Sequence, residues 1–217
     1  MSDSQDVLLN DFLFASPVYL IEKQQFLETI SHIAEEYLSK AKQDKELDST
    51  FPVFFTENFA SDQRTLEFSN YIAQTAWNIL NTQGYAMDSY STMVTDMWAQ
   101  EHHTRSGNEE HVHGFGSQMT GFYILEAPEN CSRIVVHDPR SGKKLINLPE
   151  RDASKATVAS LKVNYEPKAG QLYFMNSYIP HEFTRSLSEK PLKFIHFNVT
   201  TAFYQAPINP STSAEII

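Results

Sequence analysis

The chain has 217 residues, enough for one well-buried core, and its 41% hydrophobic and 20% charged content is that of a globular protein, not a disordered one. Twenty-seven acidic residues against 17 basic ones give a formal charge of −10, a field that does not gather nucleic-acid phosphates or anionic lipid. The single cysteine, Cys131, excludes an internal disulfide framework and fits a reducing, cytoplasmic setting. The acidic first residues lack the basic region of a secretory signal, and no run approaches the ~18 apolar residues of a membrane span.

Residues 8–21 alternate loosely, with Phe12, Phe14, Val18 and Leu20 as inward candidates, and read as a strand or extended lead-in. A helix follows over about 22–42, because Phe26, Ile30, Ile33, Tyr37 and Leu38 fall on one face. Residues 43–62 read as a polar loop broken by the aromatic stretch Phe51-Pro-Val-Phe-Phe55. A second helix is predicted over about 63–83 from Leu66, Phe68, Tyr71, Ile72, Ile79 and Leu80, with Gly84 as its stop.

Beyond Gly84 the helical period ends. Strand-like runs occur at 91–101, 118–125, 133–136, 159–165, 171–176 and 194–203, separated by Gly-, Pro- and Asn-rich turns. Two helices followed by many short strands predict one mainly β domain with flanking helices, a jelly-roll or barrel core. Residues 1–90 would pack on a core of 91–205, and 206–217 would form a mobile tail.

Seven of the eight histidines lie between positions 102 and 196. His111 and His113 stand at i and i+2, which on a strand puts both imidazoles on one face. His181 lies far along the chain beside strand-like sequence, where it could close a facial three-nitrogen metal site. His32, His102, His103, His137 and His196 read as surface, turn or packing residues. Asp138 and Glu110 are alternative carboxylate ligands, although Glu110 would face away from His111 in a regular strand.

The ordered motifs Trp98-Ala-Gln, His111-Val-His113, Thr120-Gly-Phe-Tyr-Ile-Leu125, His137-Asp-Pro-Arg140, Ala169-Gly-Gln-Leu-Tyr-Phe, His181 and Phe197-Asn-Val199 resemble a family of 2-oxoglutarate- and iron(II)-dependent oxygenases. The family is prolyl-hydroxylase-like, occurs in marine bacteria and phages, and has a double-stranded β-helix core. The resemblance spans roughly residues 92–203. It implies Fe(II) and 2-oxoglutarate as cofactors, and His111 and His181 as metal ligands. The wider superfamily has Asp or Glu two residues after the first histidine, and this chain has His113, which becomes the third ligand unless Asp138 replaces it.

The resemblance also implies a cation for the far carboxylate of 2-oxoglutarate, about ten residues after the distal histidine. Where related sequences carry Arg before an Ile-Ser-Phe-Asn-like strand, this chain has Leu192, with Lys193 adjacent. Lys193 is the first candidate for that contact and Arg185 the second, with Tyr123 and Asn198 as further hydrogen-bond donors. His196, Gln118 and Thr120 are supporting candidates.

Two other readings stand beside this one: a three-histidine cupin-type metalloenzyme that uses no keto acid, and a non-catalytic binding barrel. The substrate, a peptide side chain or a small molecule, is not specified by the sequence. Neither a membrane nor a nucleic acid is expected as partner, and the oligomeric state is open, a homodimer being one option.

Overall fold

The computed structural model describes residues 8–9, 11–43 and 45–204, so the first seven residues and the proposed tail from 206 lie outside the described residues. Two helices form where the apolar spacing predicted them. Helix α1 (Leu27–Gln43) buries Ile30, Ile33, Ala34 and Leu38, and helix α2 (Leu66–Thr82) buries Phe68, Ile72, Ala76, Ile79 and Leu80. Both start later than the periodicity suggested, because a 3₁₀ turn precedes each, at Gln24–Phe26 and Gln63–Thr65. Asp62 caps the second turn by accepting a hydrogen bond from the Arg64 amide, and Gly84 ends α2 at a φ of 96°. Neither helix is long and apolar enough to cross a membrane.

Among the described residues ten strands make two antiparallel sheets. They are β1 (Val18–Glu22), β2 (Val53–Phe55), β3 (Tyr90–His102), β4 (Asn108–His111), β5 (Ser117–Glu126), β6 (Ile134–His137), β7 (Lys162–Tyr165), β8 (Gln171–Asn176), β9 (His181–Phe183) and β10 (Leu192–Phe203). The large sheet has the order β1-β8-β5-β10-β3-β2 and the small one β4-β9-β6-β7. This is the double-stranded β-helix with flanking helices that the sequence led us to expect. Two strands escaped the sequence reading: β2 and β9, of three residues each, are too short to show a period.

Alternation along the large sheet sorts its side chains into two cores. One face carries Met97, Ala99, Tyr123, Phe174, Ile195 and Phe197 against the helices. The other carries Phe122, Ile124, Tyr173, Met175, Leu192 and Phe194 against Ile134, Val136 and Phe183 of the small sheet. On β10, Phe194 therefore faces the small sheet and Ile195 the helices, as a period of two requires.

Gly121, in the middle of β5, lets two layers close. A Cβ there would collide with the backbone carbonyl of Tyr173 and with the Phe197 ring. A carbonyl in a paired strand cannot yield, so Gly121→Ala is predicted to cost about 3 kcal/mol. That corresponds to a fall of roughly 6–12 °C in the thermal midpoint of a domain this size. A calorimetric midpoint unchanged from wild type would show that the sheet relaxes here.

Candidate metal centre

His111 and His181 are direct cross-strand partners, since β4 and β9 pair in register at these residues. Their ring centroids lie 4.5 Å apart. His113 joins them by a different route from the one its spacing suggested. Strand β4 ends at His111, and His113 sits in the turn that follows, its amide donating to the Ser177 carbonyl at 2.9 Å. Its ring stacks on His181 at 5.2 Å and 4°. One nitrogen from each of the three imidazoles can be chosen so that all lie within 4.8 Å of one another.

The ring nitrogens are prepared for a cation. His111 Nδ1 lies 2.7 Å from the Glu109 carbonyl and His181 Nδ1 lies 3.1 Å from the Ile179 carbonyl, so in each ring Nδ1–H donates and Nε2 keeps its lone pair. His181 Nε2 is buried and has no partner. Such an orphaned acceptor in a nest of imidazoles is what a metal-free ligand set looks like. Burial, and then the neighbouring His111, push the pKa of His181 down to about 3 and that of His113 to about 4. Both imidazoles are therefore in the neutral, metal-binding form at pH 7.

A fourth histidine belongs to the cluster. His196, fully buried on β10, has its Nε2 3.1 Å from His113 Nε2 and 3.2 Å from the Thr120 hydroxyl. Its ring stacks on Trp98 at 4.2 Å. The Thr120 hydroxyl lies 3.1 Å from Asn198 Oδ1, and Asn198 in turn reaches Asp96. Asp96 went unnoticed in the sequence. Only the sheet shows its register with Asn198, two residues before Trp98 on the same face of β3. Asp96, Trp98, His113, Phe115, Asn198 and Thr200 line a cleft of about 480 Å³ that opens beside the histidines.

Other expected residues lie elsewhere. Lys193 is on the helix-facing side of β10, where its ammonium pairs with Glu35 at 2.9 Å and Glu126 at 3.1 Å. Tyr123 shares that side, packs on Phe68 and donates to the Lys23 carbonyl at 2.7 Å. Arg185 is exposed in a groove with Arg133, Glu166 and Lys168, beyond the far end of β9. Asp138 is held by Arg140 and Lys143 at 2.7 and 3.0 Å, and is not part of the histidine group. Glu110 faces His137 instead, at 3.4 Å. Gln118 is exposed. Of the supporting candidates, Asn198, His196 and Thr120 are brought to the site.

Buried neutral histidines make the protein acid-sensitive. His102 and His181, both driven to about 3 by burial, take up protons in the unfolded chain from about pH 6.5 downward while the folded chain does not. Stability is thus complete above that range and falls with pH by up to about 1.4 kcal/mol per pH unit for each ring. Urea midpoints of the metal-free protein should be clearly lower at pH 5.5 than at pH 7.5. An equal or higher midpoint at pH 5.5 would mean that these rings are protonated in the folded state.

Residues 96–198 match a family model described as "Putative 2OG-Fe(II) oxygenase". No curated protein matches the chain. The fold is similar to that of AviO1 from Streptomyces viridochromogenes, at 12% identity and a TM-score of 0.60, over 88% of this chain and 93% of that one. It is similar also to a prolyl-4-hydroxylase from Pseudomonas putida, at 10% identity and a TM-score of 0.57, over 87% and 94%. The viral collagen prolyl hydroxylase of Paramecium Bursaria Chlorella virus-1, solved as a 2OG complex, gives 12% and 0.55 over 84% and 94%. Residues 96–198, which carry His111, His113, His181 and His196, are thus similar to a family described as 2OG-Fe(II) oxygenases, on a fold shared with solved prolyl hydroxylases.

Proposed function

We propose that the chain is a dioxygenase whose iron is held by His111, His113 and His181, and that it hydroxylates a peptide side chain or a small molecule. The observation that carries this reading is the convergence of three imidazoles, one of them with a buried, unpartnered Nε2. Facial nitrogen sets with open positions suit iron(II). When bound, the iron and a 2-oxo acid supply the oxidising power that converts an unreactive C–H bond to an alcohol.

The rest falls to the chain's own groups. The Glu109 and Ile179 carbonyls fix the orientation of His111 and His181 through Nδ1. His196, wedged between Trp98 and Phe122, backs His113 and limits its swing. Three neutral ligands leave the full dicationic charge of the metal in place, which favours an anionic co-substrate over a neutral one. Substrate would enter through the cleft at Asp96, Trp98 and Phe115, next to His113. Cytoplasmic residence is part of this proposal, supported by the single cysteine.

Metal analysis tests the assignment directly. Protein made without a histidine tag and loaded anaerobically with Fe(II) should hold one iron per chain. His111→Ala and His181→Ala should both lose it while keeping the wild-type far-ultraviolet dichroism. Folded variants that retain stoichiometric iron would remove these residues from the ligand set, and wild type without stoichiometric iron would favour a non-catalytic barrel.

A further inference from the structure

The cleft beside the histidines holds one acid and no base. Of the residues that line its volume of about 480 Å³, Asp96 is the one carboxylate and none is Lys or Arg. Space of that size suits a small ligand or one extended side chain. Three hydrogen bonds orient the carboxylate, from Asn58 Nδ2 at 3.2 Å, the Thr95 hydroxyl at 3.0 Å and Asn198 Nδ2 at 3.5 Å. All three donors are neutral. Among the described residues no Lys, Arg or His forms an ion pair with Asp96, whereas Asp62 and Asp138 are each held by an arginine at 2.7 Å. The charge of Asp96 is thus left for a group from outside the chain.

The walls favour an organic cation over a metal ion. A metal would need several oxygen ligands, and the neighbours of Asp96 point donors at it instead. Trp98, whose ring stacks on His196, and Phe115 give the cleft aromatic surface, which attracts ammonium and guanidinium groups. Phe115 is wholly exposed and sits at a φ of 55°, where a bulky residue is strained. Val112, also on the rim, is half exposed. Apolar side chains offered to solvent beside a lone carboxylate match a ligand with an aliphatic stem and a charged head. His113 lines the same cleft, so a ligand anchored at Asp96 lies alongside the metal centre.

We propose that the substrate is an aliphatic amine or guanidine whose cation is bound by Asp96, with its stem against Trp98 and Phe115. The proposal rests on the oxygenase reading above and names the substrate class of that site. Free lysine or arginine and a peptide that carries one of them share this chemistry. A cation gains a charge-assisted hydrogen bond that an alcohol lacks, and a carboxylate meets a like charge. The formal charge of −10 on the chain draws cations toward it as well. Anchoring the head at Asp96 limits which methylene of the stem reaches the metal past His113, so one residue sets both selectivity and position.

Anaerobic calorimetry on the Fe(II)-loaded protein, with 2-oxoglutarate present, tests this with three probes of one length: hexylammonium, 1-hexanol and hexanoate. Hexylammonium should bind at least ten-fold more tightly than either of the others. In Asp96→Asn, which keeps the size and removes the charge, that margin should vanish. If the variant does not fold, the wild-type order decides. Binding should also shift the visible charge-transfer band of the iron–2-oxoglutarate complex, because the cleft shares His113 with the metal centre. Whichever of free lysine and Nα-acetyl-lysine methylamide binds more tightly identifies the free or the peptide source. Equal or tighter binding of the alcohol or the carboxylate, no binding of any probe, or a preference that survives in Asp96→Asn would overturn the proposal and leave the oxygenase reading intact. Ammonium binding that leaves the band unmoved would place the cation away from the iron and overturn it too. Absence of the band altogether, on protein shown to hold iron, would overturn the oxygenase reading and the substrate role with it. Calorimetry reads the ammonium preference in either case, so the two failures are told apart.

Discussion

The structure depends on one register: His111 opposite His181 across the β4–β9 ladder. Strand β9 has only three residues and is held between β4 and β6, where Val136 is the partner of His181 on the other side. A slip of one residue would turn His181 toward solvent and abolish the site. The pairing is fixed from outside the strand as well, since the His137 amide donates to the Pro180 carbonyl and the His113 amide to Ser177. The three imidazoles are therefore positioned by backbone hydrogen bonds, and they can be buried neutral. A neutral ring costs far less to bury than a carboxylate, which is a physical reason why a histidine can stand at position 113.

The second constraint is the alternation of β10. Residues with even numbers from 192 to 198 face the small sheet and the histidines, and Lys193, Ile195 and Phe197 face the helices. That parity gives the site His196 and Asn198 and gives the helix packing an ion-pair network around Lys193. It also decides what surrounds the histidine cluster. Phe194 and Leu192 seal the interior, so the polar wall of the centre is confined to Thr120, His196, Asn198 and Asp96 on the cleft side. The protein thus presents a dry side and a wet side to the histidine cluster.

Much of this was legible beforehand. The two helices and the longer strands follow from periodicity, and His111, His113 and His181 stood out by type and spacing. The route by which His113 arrives was not legible, because nothing in an H-x-H pair tells that the strand stops at the first histidine. That Lys193 lies on the helix side of β10 was hidden for a clear reason. Its charge and its place beside Leu192 recommended it, whereas its neighbours Phe194 and Ile195 are both apolar and conceal which of them faces which core. Parity counted from His196 would have excluded it. Asp96 was missed since an acid on a strand looks like a solvated residue until its partner strand is known, and Leu192 was seen only as a departure from a pattern.

The central claim is that three histidines, and no carboxylate, hold the iron. X-ray absorption of the Fe(II)-loaded protein, frozen before any co-substrate is added, tests it most directly. The account predicts the multiple scattering of three imidazoles at the metal, falling to two in His113→Ala with the rest of the sphere taken by water. Two imidazoles and a carboxylate in the wild-type protein, with no change in His113→Ala, would contradict it.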